Sequence, residues 1–301
     1  MDTGNAIGSA PLDIASCEPY LLDHGSHDHL QPNSSLESSM ASLDLPRASA
    51  LIIAGCIAGL MNSIAGGGTL VTFPTLIVAG IPSIPANATS TIALLPAAIA
   101  SAVGYRNKIQ SVSHWLKVFA PVSLLGGLLG GILLVQTPTR IFDWLVPFLI
   151  LFATILFMAN SSLKQFFSAR AKASHGTPPS RTWLLGGALF QFAVAVYGGY
   201  FGAGIGILML ASLGMLGFRD VHEMNALKVL LGFLINVVAA AYFIASGLVY
   251  WPAAAIMACG TIIGGYAGAH FAQKVPQQRV RTLITAIGLT ISVIMFYRQL
   301  S

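Results

Sequence analysis

Acidic residues all but disappear from this chain after its first 46 positions, which hold seven of the ten Asp and Glu. Charge of either sign is scarce throughout: Asp, Glu, Lys and Arg make up 8% of the 301 residues, against roughly 25% in a soluble domain. With 55% hydrophobic residues and a mean hydropathy of +0.77, a soluble fold is excluded and a polytopic all-α membrane protein is expected. The net charge of +5 is scattered over loops and forms no patch, so it reports topology and excludes nucleic acid as a partner. Cysteine is nearly absent too. Cys17, Cys56 and Cys259 give neither a disulfide framework nor a metal-ligand spacing; the last two lie in apolar segments as small packing residues.

Enzyme signatures are missing. No G-x-x-x-x-G-K-[ST] run occurs, so no ATP site and no cofactor are expected. "GAGIGI" imitates a dinucleotide fingerprint, but Ile207 stands where its last glycine belongs and no strand precedes it. His114, His222 and His270 belong to different segments, and "VHEMN" lacks the second histidine of a zinc-protease motif. Residues 1–46 contain no Lys or Arg and no basic stretch leading into an apolar run, so they are not a signal peptide. They read as a disordered acidic tail, with His24, His27 and His29 of "HGSHDHL" as solvated tail residues.

What remains is a series of apolar segments at 48–66, 69–81, 87–105, 115–136 and 141–159. After a basic, turn-rich linker, five more follow at 182–199, 203–217, 222–245, 250–272 and 280–298. The organisation expected is a tail (1–46), a first transmembrane repeat (47–160), a cytoplasmic linker (161–181) and a second repeat (182–301). A shift of 137 or 138 positions lays "SIAGGGTLVTFPTLIVAGIP" over "YFGAGIGILMLASLGMLGFR", and Gly126, Gly127, Gly130 and Pro138 over Gly264, Gly265, Gly268 and Pro276. Five segments per copy is an odd number, so the second copy enters the membrane from the opposite side and the repeats are inverted. Alternating sides along the chain places eleven Lys and Arg on one face and three, Arg47, Arg140 and Arg298, on the other. The basic face is cytoplasmic by the positive-inside rule.

Gly66, Gly67 and Gly68, and "FGAGIG" at 201–206, each precede an apolar run too short to cross a bilayer, which takes about 20 residues. Non-helical backbone survives at membrane depth only where protein buries it or water reaches it. A broken or re-entrant helix is therefore expected in each repeat, with a half-helix starting near Thr69 and another near Gly206. Inverted symmetry brings the breaks together near the midplane, where two helix N-termini, each carrying roughly +0.5 charge, form an anion site. Candidate binding residues at the breaks are Ser63, Gly66, Gly67, Gly68, Thr69, Gly202, Gly204 and Gly206. The third segment of each repeat adds polar side chains: Asn87, Thr89, Ser90 and Thr91 in the first, Asn225, Lys228 and Asn236 in the second. Lys228 is the one basic residue well inside an apolar segment, where a charge costs about 2.5–3.5 kcal/mol on insertion scales and faces a cavity or a counter-charge. No Asp or Glu lies at comparable depth, which points to an anionic ligand.

"GLMNSIAGGGTLVTFPTLIVAGIPSIPANATSTIALLPAAIASAVGYR" resembles the first-repeat signature of the TauE/SafE family of membrane anion transporters. "GGYFGAGIGILMLASLGMLGFRDVHEMNALKVLLGFLINVVAA", with Asn225 and Lys228 in an N-x-x-K pattern, is similar to its second-repeat signature. The likeness covers about 48–298. It implies a multi-pass transporter of the bacterial inner membrane with about eight spans, which beside the ten segments counted above gives 8–10 membrane segments. It also implies export, or sometimes import, of sulfite, organosulfonates or related sulfur oxyanions without ATP. The partners implied are the anion, the lipid bilayer and, through proton release from a desolvated lysine, protons as a coupling ion; homo-oligomerisation is compatible with the sequence. An anion channel or an intramembrane enzyme using the same breaks is the alternative, with Ser63 as the conceivable nucleophile and no base at a supporting distance.

The charge split makes a topological prediction. Cysteines introduced at Ser174 and Ser301 in a background without the native three should label from opposite sides with an impermeant reagent, Ser174 from the cytoplasm. Labelling from one side would eliminate the odd-numbered repeat.

Overall fold

The computed structural model describes residues 45–64, 66–104, 109–173, 181–215, 218, 220–271 and 277–300, which contain ten α-helices and no strand. They belong to one compact unit, 43–301. The acidic tail with its histidines and Cys17 lies outside the described residues, as do 174–180 of the linker.

The helices are α1 (Leu45–Ile64), α2 (Thr69–Val78), α3 (Ser83–Gly104), α4 (Ile109–Gln136), α5 (Thr139–Ala173), α6 (Arg181–Tyr200), α7 (Ile205–Met215), α8 (Val221–Ala245), α9 (Trp251–Phe271) and α10 (Gln277–Leu300). Five of them (α1, α3, α4, α5 and α8) contain stretches long and apolar enough to cross a membrane, and α2 and α7 are among four shorter apolar helices. At 10 and 11 residues, α2 and α7 reach only about 15 Å each at 1.5 Å per residue, half a hydrocarbon core. α5 continues through Ala173, so the first part of the segment expected as linker (161–181) is helical.

Large apolar side chains stand on the outer surface, among them Val78, Leu125, Leu185, Leu189, Ile263 and Val293. In water so much exposed apolar surface would drive association; in a bilayer it faces its solvent. Prolines sit inside α2, α3, α4 and α5. Pro96 removes the amide that would bond Ile92 O; next to that gap the Thr261 hydroxyl of α9 donates to Ala93 O at 2.6 Å. Such side-chain donors are how neighbouring helices accommodate prolines at membrane depth.

Two crossings dominate the packing. α1 lies on α9 and α4 lies on α6, and glycines line both seams. A side chain on Gly59 would run into Thr261 O, and one on Gly264 into Cys56 O. Equivalently, one on Gly130 would meet Val196 O and one on Gly199 would meet Gly127 O. Small residues let backbones approach this closely, and in lipid that close van der Waals packing replaces the hydrophobic drive available in water. The remaining contacts, α3–α5 excepted, follow a pattern. Exchanging α1–α5 with α6–α10 in order carries α3–α9 onto α4–α8, α2–α3 onto α7–α8, α1–α2 onto α6–α7 and α5–α7 onto α2–α10, while α3–α8 and α5–α10 map onto themselves.

The seams give a stability prediction. Gly130→Leu and Gly264→Leu should each lower stability in detergent by about 1–3 kcal/mol or more, the usual cost of overpacking. Gly186→Leu is the control, since that exposed glycine of α6 has nothing within 4 Å of an added Cβ. Thermal unfolding and gel filtration read the difference; equal behaviour of the three variants would show that the seams are not tight.

Candidate functional site

Both short helices begin at a glycine break built by the same local chemistry. α1 stops at Ile64, and the amide of Gly66 reaches back to Met61 O and Asn62 O, both at 3.2 Å. α6 stops at Tyr200, and the amide of Gly202 reaches back five residues to Tyr197 O at 3.2 Å, beside Phe201 N to the same oxygen at 2.9 Å. Gly66 and Gly202 carry φ of +71° and +82°, a left-handed conformation that a side chain disfavours. The helix then restarts: Leu70 N bonds Gly67 O at 3.1 Å in the first break, and Ile207 N bonds Gly204 O at 3.0 Å in the second.

The two breaks touch. A Cβ added to Gly66 would stand 3.2 Å from Gly206 Cα, and one on Gly202 would stand 3.8 Å from Thr69 Oγ1. Between them and the middles of α3 and α8 lies a cavity of about 50 Å³, several times the roughly 10–15 Å³ one water needs. Its floor is Gly66, Gly67, Gly68, Thr69, Gly202 and Gly206, so the first turns of α2 and α7 open onto it. One wall is Leu94, Ala98 and Ser101 of α3; the other is Lys228, Gly232 and Asn236 of α8, a row with i, i+4, i+8 spacing that lines up on one helix face. Asn62 of α1 adds a carboxamide, and Ile205, Met209, Val229 and Phe233 complete an apolar lining.

Chemically the cavity is an acceptor of negative charge. Lys228 is 3% exposed, two helix N-termini point at the same space, and no Asp or Glu is among the lining residues. Lys228 also has an interaction partner within the fold, and it lines the cavity wall. The lining offers two carboxamides, two hydroxyls and an ammonium but no titratable pair arranged as nucleophile and base. Among the described residues no group of three His, Cys, Asp or Glu could hold a metal ion.

Of the residues singled out from sequence, Gly66, Gly67, Gly68, Thr69, Gly202, Gly206, Lys228 and Asn236 line the cavity. The other seven do not, and most of them hold the fold around it; Thr91 Oγ1 donates back to Asn87 O at 2.9 Å within α3. Ser63 Oγ donates to Gly265 O at 3.0 Å and lies 3.0 Å from Ser101 Oγ, joining α1, α3 and α9. Asn87 Nδ2 donates to Tyr200 O at 2.9 Å, supplying the end of broken α6 with a donor. Thr89 Oγ1 accepts from Tyr250 N at 3.0 Å, and Ser90 Oγ pairs with Thr72 Oγ1 at 2.5 Å. Gly204, at φ +77°, packs toward Ala153 and Leu156 of α5. Asn225 lies in the first turns of α8 with a bonding partner of its own.

Sequence reasoning missed Asn62, Ser101 and Gly232. Asn62 adjoins Ser63, but a step of one residue turns a helix by about 100°, so proximity to the glycines did not reveal which of the two faces inward. Ser101 lies four turns beyond the polar start of α3 that drew attention. The i+4 spacing from Lys228 to Gly232 to Asn236 was the available signal for Gly232.

Comparison with known proteins follows the same lines. Residues 51–295 match the family model described as "Sulfite exporter TauE/SafE". The chain is similar to a "Probable membrane transporter protein" of Haemophilus influenzae, at 26% identity over 257 residues covering 83% of this chain and 94% of the relative. It is also similar to "Probable membrane transporter protein ORF9" of a Sinorhizobium species, at 27% identity with 81% and 90% coverage. A third relative is "Probable membrane transporter protein YfcA" of Escherichia coli, at 26% identity with 82% and 88% coverage. No solved structure matches at a significant level.

The contact between the breaks can be tested through two glycines. Gly66→Ala puts a side chain at positive φ and also against Gly206, so it should abolish anion binding. Gly204→Ala carries the conformational cost, about 1–2 kcal/mol of stability, but meets only ordinary contacts at 3.6 Å and beyond and should retain binding. Denaturation in detergent and ligand-induced thermal shifts separate the two; loss of binding in both or in neither would mean that the contact is immaterial.

Proposed function

Because the chain belongs to the TauE/SafE sulfite exporter family and is a multi-pass membrane transporter, we propose that it is a secondary exporter of small sulfur oxyanions such as sulfite or organosulfonates in the bacterial inner membrane. The observation that carries this reading is the cavity between two touching helix breaks, with Lys228 buried in its wall. The ammonium supplies a full positive charge. Thr69 and Gly206 lie at the helix starts whose amides can donate to oxyanion oxygens. Glycine removes the side chains that would hold a ligand off the backbone.

The transport cycle follows from symmetry. The exchange pattern of helix contacts supports a duplicated core, and the eleven-to-three charge split supports two copies of opposite orientation with both termini outside. A site on the axis of such a pair opens to one side when one repeat tilts and to the other when its partner does, which is alternating access. A channel has no need of the paired breaks.

Proteoliposome flux of labelled sulfite, with counterflow to separate carrier from channel and with an imposed pH gradient, tests the reading. Lys228→Gln keeps the length and a donor but removes the charge, and should weaken sulfite binding tenfold or more, on the order of 1.4 kcal/mol. Lys228→Arg should recover part of it, since the charge returns in a different shape. Wild-type affinity in the Gln variant would show that Lys228 takes no part in holding the anion.

A further inference from the structure

Glycine is a poor choice inside a helix, and in this fold most helical glycines of the interior seams have a visible reason; even Gly131, in ordinary contact only, would place an added Cβ 3.4 Å from Ala239 Cα. Gly126, Gly127, Gly130 and Gly199, like Gly55, Gly59, Gly260, Gly264 and Gly268, lie so close to a neighbouring helix that an added Cβ would meet backbone atoms at about 3 Å or less. Gly66, Gly202 and Gly204 adopt positive φ. Gly232 has neither reason. It sits in the middle of α8, has no positive φ, and an added Cβ there has nothing within 4 Å. Gly186 is equally unobstructed but lies on the exposed outer surface, whereas Gly232 lines the cavity.

Its place in the row matters. Lys228 and Asn236 flank it at four residues on either side, about 6 Å along the axis in each direction. Helical side chains lean toward the N-terminus, so the carboxamide of Asn236 leans back over the turn of Gly232 while the stem of Lys228 leans away from it. The missing side chain therefore keeps open the space between the ammonium and the carboxamide. Alanine is the better helix former and would fit against the protein, so what glycine keeps clear is volume for a ligand.

We propose that Gly232 is the specificity-determining position of the site: its empty Cβ space receives the substituent carried by an anion whose oxygens are held at Lys228 and the helix starts. This rests on the anion-transporter reading of the same cavity. A side chain at 232 would exclude substituted anions first and leave a bare oxyanion least affected.

The test uses the full-length protein in proteoliposomes and in detergent, with Gly232→Ala, Gly232→Val and Gly232→Leu. Inhibition of sulfite flux by methanesulfonate and 1-propanesulfonate, and their thermal shifts, report affinity. Gly232→Ala should weaken propanesulfonate at least tenfold and sulfite less than threefold; Gly232→Val should extend the loss to methanesulfonate, and Gly232→Leu should remove all three. Unfolding temperatures at or above wild type for Gly232→Ala establish that the fold is intact. Equal losses for sulfite and propanesulfonate, or a wild type that binds sulfite but no sulfonate, would overturn the filter and leave the transporter reading in place. A wild type that neither binds nor moves any of the three would overturn the transporter reading itself, and the filter with it.

Discussion

A helix interrupted at membrane depth leaves amides and carbonyls with no water to bond, and the architecture of this protein is organised around meeting that demand. An unsatisfied backbone group in hydrocarbon costs several kcal/mol, so two interruptions are tolerable only if the surrounding helices supply partners. They do so with polar side chains, some from the flanking turns and one, Asn87, from another helix. Asn87 of α3 donates to Tyr200 O at the end of α6, and Tyr197 OH donates to Ala203 O within the second break at 2.8 Å. Thr72 Oγ1 turns back to Gly68 O at 3.2 Å while also meeting Ser90. What is left over after this stitching, the helix starts around Thr69 and Gly206, faces a cavity where a ligand can take the amides.

The breaks can meet only because the helices carrying them are held by tight, side-chain-poor seams. α1 and α6, the helices that end at the breaks, are the two that cross α9 and α4 on glycines. Close backbone packing gives each crossing many small dispersion contacts and little tolerance for displacement. Aromatic packing adds to this beside the second break, where Phe73 of α2 lies edge-on to Phe142 and Phe201 at centroid separations of 6.4 and 5.4 Å. Phe157 of α5 occupies the space a side chain on Gly67 would need, so the first break is closed from behind by an aromatic ring.

Electrostatics then separates the cavity from its setting. A buried ammonium, two helix N-termini and neutral amides share about 50 Å³, and in a low-dielectric environment their attraction for an anion is far stronger than it would be in water. This combination suits a membrane carrier, which must remove an oxyanion from water on one side and release it on the other without binding it so tightly that it stays.

Much of this was legible in the sequence because lipid leaves few alternatives. Composition alone excluded a soluble fold, helix was the one secondary structure suited to apolar segments of these lengths, and three adjacent glycines before a short run announced a break. The N-x-x-K pattern and the depth of Lys228 singled out the basic residue that the fold places in the cavity wall. Rotational phase was not legible. Ser63 and Asn62 are neighbours, yet one faces Gly265 and Ser101 while the other faces the cavity, and nothing local distinguishes them. Asn87, Thr89 and Ser90 look like ligands in one dimension; tertiary structure commits Asn87 to donating to Tyr200 O at the distant second break, Thr89 to accepting from Tyr250 N at the start of α9, and Ser90 to the Thr72 hydroxyl of α2. Nor could the sequence separate Gly232 from the seam glycines, since the absence of a side chain means close packing in one place and open space in another, and only the position of the neighbouring helices decides which.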